Sequence, residues 1–189
     1  MKKSHFSSMI VTLLSLNACF EKPPVNRDSS IPLNTVSHVN LDRYLGTWYE
    51  VARFENSFQD KSTEEHCVET SAEYSLSSKK DEIRVVNRCR MNTPEGKKSV
   101  AEGNAKVLDK STNAKLGVKF FFLAPRGDYW ILALGDDYEY SLVGEPEGRY
   151  LWLLSRDRIL SDALIAEALE KARILGYNTK ELRFDPKYE

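Results

Sequence analysis

The side chains of this 189-residue chain that could do acid–base or metal chemistry are few and scattered. Its three histidines, His5, His38 and His66, are far apart in the sequence, and they suggest neither a triad nor a metal site. The adjacent carboxylates Asp136 and Asp137 lie in the stretch "GDD", where such a pair usually marks a solvated hairpin. No GxSxG, HExxH, CxxC or GxxxxGK motif occurs. The sequence therefore predicts a protein that is not an enzyme and holds neither metal nor cofactor.

The three cysteines carry the remaining chemistry, and the first lies at the end of an export signal. Lys2 and Lys3 precede the apolar run "MIVTLLSL", which is far shorter than the roughly 20 residues that span a bilayer. The run ends in "LNAC", which resembles the lipobox of bacterial lipoproteins, in which the cysteine becomes the acylated first residue. This resemblance predicts a signal peptide over residues 1–18 and a lipid anchor, such as palmitate, on Cys19. An ordinary cleaved signal with a chance cysteine is the alternative.

If the first cysteine is acylated, Cys67 and Cys89 remain as a pair in an exported chain. In an oxidising compartment such a pair tends to close, and the bridge would stabilise the fold by about 2 to 4 kcal/mol. A hairpin turn centred on Ser78 sets the two cysteines opposite each other but pairs polar Glu73 with apolar Ile83. Since a one-residue slip exchanges the two faces of a strand, we expect a bulge or a non-ladder geometry near the bridge. Two free buried thiols are the alternative.

Composition and charge narrow the classes of partner. The chain is 41% hydrophobic and 29% charged, and its net charge is −1 with basic and acidic residues interspersed. One globular domain accounts for this length. A surface without a strong field of one sign gives no electrostatic reason to expect nucleic acid or an anionic bilayer as a partner. Partners are therefore expected to be selected by shape or hydrophobicity, and a homodimer stays open.

The elements that must position these residues follow a linker-like stretch. Residues 19–38 are rich in Pro, Ser and Asn and show no period of 2 or 3.6, which predicts a flexible tether that reaches roughly 25 Å. The folded domain is expected over residues 39–189. It opens with eight short alternating runs separated by turn residues. They are "TWYEVARF", "VETSAEYSL", "EIRVVNRCR", "SVAEGNAKV", "AKLGVKFFF", "DYWILALG", "YEYSLVGE" and "RYLWLLSR".

Eight consecutive antiparallel strands with short connections predict an all-β, up-and-down barrel that is wide enough for one small ligand. One helix follows, with Ser161 as its N-cap and Gly176 at its end. Its apolar stripe consists of Leu164, Ala168, Ala172 and Leu175. The stripe predicts that the helix packs on the outside of the barrel. The last run, "ELRFD", could add a strand beside the first one.

This order of elements, together with two motifs, resembles the lipocalin family. "GTW", from Gly46 to Trp48, matches the family signature at the start of the first strand, and Ser155 and Arg156 match the arginine signature that ends the eighth. The sequence is nearest to the bacterial lipocalins, which are outer-membrane lipoproteins, through "YLGTWYEVARF", "VKFF" and "YLWLLSRD". The similarity covers roughly residues 40–185. The middle signature is met only loosely by "GDDYEYSLVGEP", and "FFLAPRGD" replaces the usual "FFGPFYG" turn, so the loop over that rim is expected to differ.

The resemblance implies structural roles for three residues. The indole of Trp48 would plug the closed end of the barrel, and the guanidinium of Arg156 would lie across it as a cation–π pair that joins the first strand to the last. Gly46 would let the chain approach tightly above that plug. Glu50 lies two residues after Trp48 and would also face inward, where a carboxylate needs a partner. A rim position turned toward solvent is the alternative for Glu50.

Alternation predicts the wall of the cavity. In the second run, apolar or small residues alternate with Glu69, Ser71 and Glu73, so the apolar or small ones should face inward. By the same alternation Leu76 should also face inward. The residues predicted to contact a ligand are Glu50, Ala52, Phe54, Val68, Thr70, Ala72, Tyr74, Leu116, Val118, Phe120 and Phe122. Aromatic and aliphatic walls suit an acyl chain, and a barrel filled by its own side chains is the alternative.

The resemblance implies a membrane-anchored protein that binds a fatty acid or lysophospholipid and serves lipid storage or transport in envelope maintenance under stress. Phe20 follows Cys19 at the position where an aspartate would favour retention in the inner membrane. We therefore expect the outer membrane, with the domain facing the periplasm. Two alternatives stay open: a non-catalytic lipoprotein scaffold with a filled barrel, and a binder of haem or another hydrophobic small molecule.

Overall fold

The computed structural model describes residues 22–62, 65–79, 81–120 and 125–188. The predicted signal peptide and Cys19 lie outside these residues. The strands are β1 (Gly46–Phe54), β2 (Asp60–Ser62), β3 (Glu65–Leu76), β4 (Glu82–Met91), β5 (Lys98–Val107), β6 (Lys115–Lys119), β7 (Gly127–Leu134), β8 (Tyr140–Gly144), β9 (Leu151–Ser155) and β10 (Leu182–Phe184). The α-helices are α1 (Leu41–Tyr44) and α2 (Asp162–Ile174).

Strands β1 and β3 to β9 form a closed antiparallel barrel. From β3 to β9 each strand pairs with the next along the chain. Strand β1 closes the barrel because its first half pairs with β3 and its second half with β9. Trp48 lies opposite Ala72 at the first of these junctions, and Arg53 lies opposite Trp152 at the second. The predicted eight-stranded barrel with a C-terminal helix is confirmed.

Two short strands extend the sheet beyond the barrel. Strand β10 pairs with the end of β1, where Ala52 lies opposite Phe184, as expected from "ELRFD". Strand β2 pairs with the start of β3, where Asp60 lies opposite His66. The sequence did not predict β2, because its three residues are polar and too few to show alternation.

Helix α2 begins and ends where the sequence predicted. The hydroxyl of Ser161 caps it by accepting a hydrogen bond from the backbone nitrogen of Leu164 at 3.4 Å. Gly176 follows its last turn with a φ of +88°, a left-handed conformation that favours glycine. Ala168 and Ala172 are completely buried. These small side chains let the helix approach the sheet closely.

The barrel wall separates two hydrophobic clusters. The inner cluster occupies the interior, and the outer cluster lies between the sheet and helix α2. The buried members of the inner cluster are Val39, Tyr44, Trp48, Ala72, Tyr74, Ile83, Val85, Ala105, Val107, Ala114, Leu116, Ile131, Val143 and Leu154. Those of the outer cluster are Val51, Ala52, Phe54, Leu132, Ala133, Tyr140, Leu142, Leu151, Leu153, Leu160, Ala168, Ala172 and Tyr177.

Residues 22–38 lie against the barrel, in contrast to the flexible tether that their composition suggested. The backbone nitrogen of Asn26 donates to the carbonyl of Gly148 at 2.9 Å, and that of Val36 donates to the carbonyl of Ile131 at 3.1 Å. We call this segment the N-terminal strap. It runs along the outside of the barrel from the β8–β9 turn to helix α1. A segment whose sequence shows no hydrophobic period can still be ordered when its backbone groups form hydrogen bonds with residues far away in the sequence.

Arg27 holds the strap in place. Its side chain is buried, and its Nε donates to the carbonyl of Leu175 at 2.9 Å. Its guanidinium carbon also lies 5.7 Å from the ring centre of Tyr177. Gly148 makes the approach possible, because a Cβ at that position would lie 2.1 Å from the Arg27 Cβ. A polar residue of a predicted tether is therefore part of the packed structure.

Cys67 and Cys89 form a disulfide, as predicted. Cys67 lies opposite Met91 in the β3–β4 ladder, so the two cysteines are not direct partners. The register of this ladder shifts between Val68 and Ser71. The bulge that we expected near the bridge is therefore present.

Candidate ligand-binding site

The barrel interior opens at the end that carries the β4–β5 and β8–β9 turns, which we call the mouth. Ala105, Gly103 and Ala101 follow one another along the inner side of β5, since Ala105 belongs to the inner cluster. Their exposure rises toward the mouth: Ala105 is buried, Gly103 is half-buried and Ala101 is exposed. The small side chains on the inner side of β5 therefore contact solvent at this end.

The opposite end, the floor, is plugged by Trp48 and Arg156. Trp48 is fully buried, and the Arg156 guanidinium carbon lies 3.8 Å from its ring centre. The Arg156 Nη1 also donates to the carbonyls of Leu45 at 2.9 Å and Thr47 at 3.2 Å. Gly46 adopts a φ of +95°, and a Cβ there would lie 3.4 Å from the same nitrogen. The contacts expected for this plug are thus present.

Replacing Arg156 with leucine should lower the free energy of unfolding by about 2 kcal/mol, because it removes the cation–π contact together with charged hydrogen bonds to the chain before β1. Arg156→Lys should lose less, since an ammonium can still cover Trp48 but cannot bridge both carbonyls. Urea denaturation measures both variants. An unchanged midpoint for Arg156→Leu would mean that the plug does not stabilise the barrel.

Most of the predicted wall residues lie on the inner side. Ala72, Tyr74 and Leu116 are buried members of the inner cluster, and Val118 and Phe120 pack against it while partly exposed. Thr70 is buried beside them on β3. Leu76, by contrast, is 75% exposed at the end of its strand. Phe122 lies outside the described residues.

Ala52 and Phe54 do not line the interior. Both are buried in the outer cluster, and the Phe54 ring lies 6.1 Å from that of Tyr177. The register between β1 and β9 shifts between Glu50 and Ala52, so Val51 is an extra residue in the ladder. Beyond this bulge the strand presents the opposite set of side chains to the interior. Simple alternation therefore failed for the second half of β1.

The bulge in β3 has the same effect on Val68. Glu69 adopts a left-handed φ of 48° there, and Val68 lies opposite Arg90. On β4 the inner side carries Val85 and Asn87, so Arg90 belongs to the other side. Val68 is buried but is not a member of the inner cluster.

Glu50 faces the interior, where it forms an ion pair with Arg53. This pairing was not predicted from the sequence. The Arg53 Nη1 donates to the Glu50 Oε1 at 2.6 Å, and the Arg53 Nε donates to the Asp60 Oδ2 at 2.9 Å. The three side chains are at most 7% exposed. Burial raises the pKa of the Glu50 carboxyl, and the Arg53 guanidinium opposes that rise. On a regular strand the side chains at positions 50 and 53 point to opposite sides. They meet here because the bulge at Val51 turns Arg53 to the side of Glu50.

The same cluster fastens the segment after β1 to the wall. The Gln59 Nε2 donates to the Glu50 Oε2 at 2.7 Å, and the Trp152 Nε1 donates to the Gln59 Oε1 at 3.0 Å. The Trp152 ring stacks on that of Tyr150 at 5.7 Å, and Phe58 lies 5.6 Å from Tyr150. These contacts place a polar cluster and an aromatic group side by side at the mouth.

A chain of hydroxyl groups crosses the lower interior. The hydroxyl of Tyr129 lies 2.9 Å from that of Tyr44 and 2.8 Å from that of Tyr74. The Tyr44 hydroxyl also lies 3.1 Å from the Ser141 Oγ. Burial raises the pKa of Tyr44 to about 12 and raises those of Tyr74 and Tyr129 as well. The hydroxyls therefore stay protonated and act only in hydrogen bonding.

Within the described ranges, no three side chains of His, Cys, Asp or Glu are grouped so that they could bind a metal. Asp136 and Asp137 are exposed, and Asp137 forms a surface ion pair with Arg43 at 3.5 Å. In the part of the chain that the structure covers, no helix has the length and apolar character needed to cross a bilayer.

The family model described as a lipocalin-like domain matches residues 39–187, nearly the whole barrel and its helix. The chain belongs to the lipocalin family. It is 37% identical over 161 residues to temperature-induced lipocalin-1 of Arabidopsis thaliana, with 82% of each chain covered. It is 32% identical to the outer membrane lipoprotein Blc of Vibrio cholerae, with 92% of this chain and 94% of the relative covered.

Solved structures share the fold of this lipocalin at lower identity. Lobster apocrustacyanin A1 superposes with a TM-score of 0.61 at 16% identity, over 89% of this chain and 91% of the other. Members of the family are in general binding proteins rather than enzymes. The interior described above, with its open mouth and closed floor, is therefore the candidate site.

Proposed function

We propose that this lipocalin binds a single-chain lipid, a fatty acid or a lysophospholipid, inside its barrel. The observation that carries the proposal is the apolar interior that opens to solvent along β5. On the neighbouring strand β6, Leu116 lies deep in the interior opposite Val107, and Val118 lies nearer the mouth opposite Ala105. Phe120 packs against Gly103, where a Cβ would lie 2.8 Å from its ring, and Ala101 presents only a methyl group at the mouth. A wall of aliphatic and aromatic groups with small residues at the mouth suits an acyl chain.

We further propose that an acyl group on Cys19 anchors the protein to the outer membrane, facing the periplasm. Its relatives in Vibrio cholerae and Escherichia coli are named outer membrane lipoproteins, and the "LNAC" motif agrees with that location. The name of the Arabidopsis relative refers to temperature induction. Storage or transport of membrane lipids under stress is the role that combines these features.

The Ala101→Trp variant tests lipid binding in the barrel. The indole should occupy the open part of the mouth and displace several methylenes of a bound chain. Each buried methylene contributes up to about 0.8 kcal/mol, so the affinity should fall at least about tenfold. Since Ala101 is exposed, the change does not overpack the core. Titration with a fluorescent fatty acid and with lysophosphatidylcholine measures the loss.

Val100→Trp is the matched control. Val100 is 56% exposed and lies opposite Arg88, whose side chain pairs with Glu73 on the outside of the barrel. Its substitution should leave the affinity unchanged. Equal affinities in the two tryptophan variants would contradict the assigned mouth. An absence of saturable binding by the wild type would contradict the proposal and favour a filled barrel.

A further inference from the structure

The hydroxyl chain in the lower interior contains one more proton than it uses. Ser141, Tyr44, Tyr129 and Tyr74 contribute four hydroxyl protons, and three hydrogen bonds join them in that order. Each bond uses one proton, whichever way the chain is oriented. One of the four hydroxyl protons is therefore left to donate to something else.

Two further polar atoms of the inner wall have no partner. The Thr70 Oγ1 and the Asn87 Oδ1 are both buried and make no hydrogen bond among the described residues. Thr70 is 8% exposed and lies one inward position from Ala72 on β3, while Asn87 lies directly opposite Ala72 on β4. Buried polar atoms without partners are costly, so a ligand in the interior gains affinity by forming hydrogen bonds with them.

The guanidiniums of Arg53 and Arg156 described above are both occupied by groups of the protein. Arg53 is bound by Glu50 and Asp60, and Asp60 also lies 3.4 Å from the guanidinium of Arg183. Arg156 lies under the Trp48 plug, where backbone carbonyls occupy it. A buried carboxylate needs a cation, and neither of these guanidiniums offers one to a ligand.

We propose that the barrel selects single-chain lipids whose oxygen groups are uncharged, of the monoacylglycerol class, over the carboxylate of the same chain. This inference rests on the proposed lipid binding. A hydroxyl of the ligand can donate to the Asn87 Oδ1, and its ester or hydroxyl oxygens can accept from Thr70 and from the spare proton of the hydroxyl chain. Uncharged groups satisfy these polar atoms without requiring a cation, whereas a carboxylate would have to be buried without one.

Competition binding tests the preference. N-phenyl-1-naphthylamine, an uncharged fluorescent probe, is displaced from the full-length protein by 1-monooleoylglycerol or by oleate at pH 8. Monooleoylglycerol should compete at least about tenfold better, because oleate must lose the hydration of its charge. The advantage should shrink at pH 5, where oleate takes up protons. Equal or tighter binding of oleate at pH 8 would overturn the inference, whereas failure of every lipid to displace the probe would overturn the proposed function.

Variants of Thr70 and Asn87 test whether these two residues cause the preference for uncharged lipids. Thr70→Val and Asn87→Leu keep the approximate shapes but remove the polar atoms. Each should weaken the binding of monooleoylglycerol about fivefold, the value of one hydrogen bond, and leave the affinity for N-phenyl-1-naphthylamine nearly unchanged. Thr70→Ser keeps the hydroxyl and should retain the affinity of the wild type. If the affinities for monooleoylglycerol and for oleate fall by the same factor in these variants, the assignment of the two residues is wrong.

Discussion

Replacing Arg53 with leucine should lower the free energy of unfolding by about 3 to 5 kcal/mol, because the buried Glu50 then loses its cation and Asp60 keeps the longer contact with Arg183 at 3.4 Å. Glu50 and Asp60 are 3% and 7% exposed and both bind this guanidinium. The loss should depend on pH. Without Arg53, only the hydrogen bond from Gln59 opposes the rise that burial causes in the pKa of Glu50, so the folded state holds its proton above the ordinary value of 4.5. The deficit therefore grows as the pH rises above that value and shrinks below it.

Urea denaturation at pH 5 and pH 8 measures this effect. Arg84→Leu is the matched control, because Arg84 pairs with Glu102 on the surface with side chains 48% and 60% exposed, and such pairs contribute at most about 1 kcal/mol. Adding Glu50→Gln to Arg53→Leu should recover part of the loss, since the unpaired charge of Glu50 is then absent. If Arg53→Leu costs no more than Arg84→Leu, the buried cluster does not hold the wall together.

Replacing Cys19 with serine should move the protein from the membrane to the soluble fraction. The variant lacks the thiol that an acyl chain requires, and no helix in the described ranges is suited to span a bilayer. Each methylene of an acyl group contributes about 0.8 kcal/mol to membrane binding, so the change should be nearly complete. Palmitate labelling with membrane fractionation measures it.

A second variant separates the sorting of the protein from its acylation. Phe20→Asp should still be labelled but should be retained in the inner membrane, because an aspartate after the acylated cysteine favours that location in many enteric-type bacteria. Density-gradient separation of the two membranes measures the shift. If Cys19→Ser remains bound to membranes, the lipid anchor is not on this residue.

The sequence predicted the barrel well because most of its strands alternate over at least part of their length and turn residues separate them. The Ser161 cap and the Gly176 stop likewise have local causes. The N-terminal strap could not be predicted, since distant backbone groups hold it: Asn26 bonds to Gly148, more than a hundred residues away. Local patterns carry no information about such contacts.

The candidate site was predicted in outline but not in its polar parts. Alternation placed Ala72, Tyr74 and Leu116 on the inner wall. It failed at Ala52, because an inserted residue in β1 reverses the faces and nothing in the sequence marks the insertion. The pairing of Glu50 with Arg53 depends on the same insertion and was missed for the same reason.

The N-terminal strap limits the distance between the barrel and any anchor on Cys19. Only Phe20 and Glu21 separate that cysteine from Lys22, and the next residue, Pro23, is buried and accepts a hydrogen bond from Arg149 beside the mouth. An extended chain advances at most about 3.6 Å per residue, so Cys19 lies at most about 14 Å from Pro23. An anchored barrel would then stand with its opening beside the lipid headgroups, and a lipid could pass between bilayer and barrel without crossing open water.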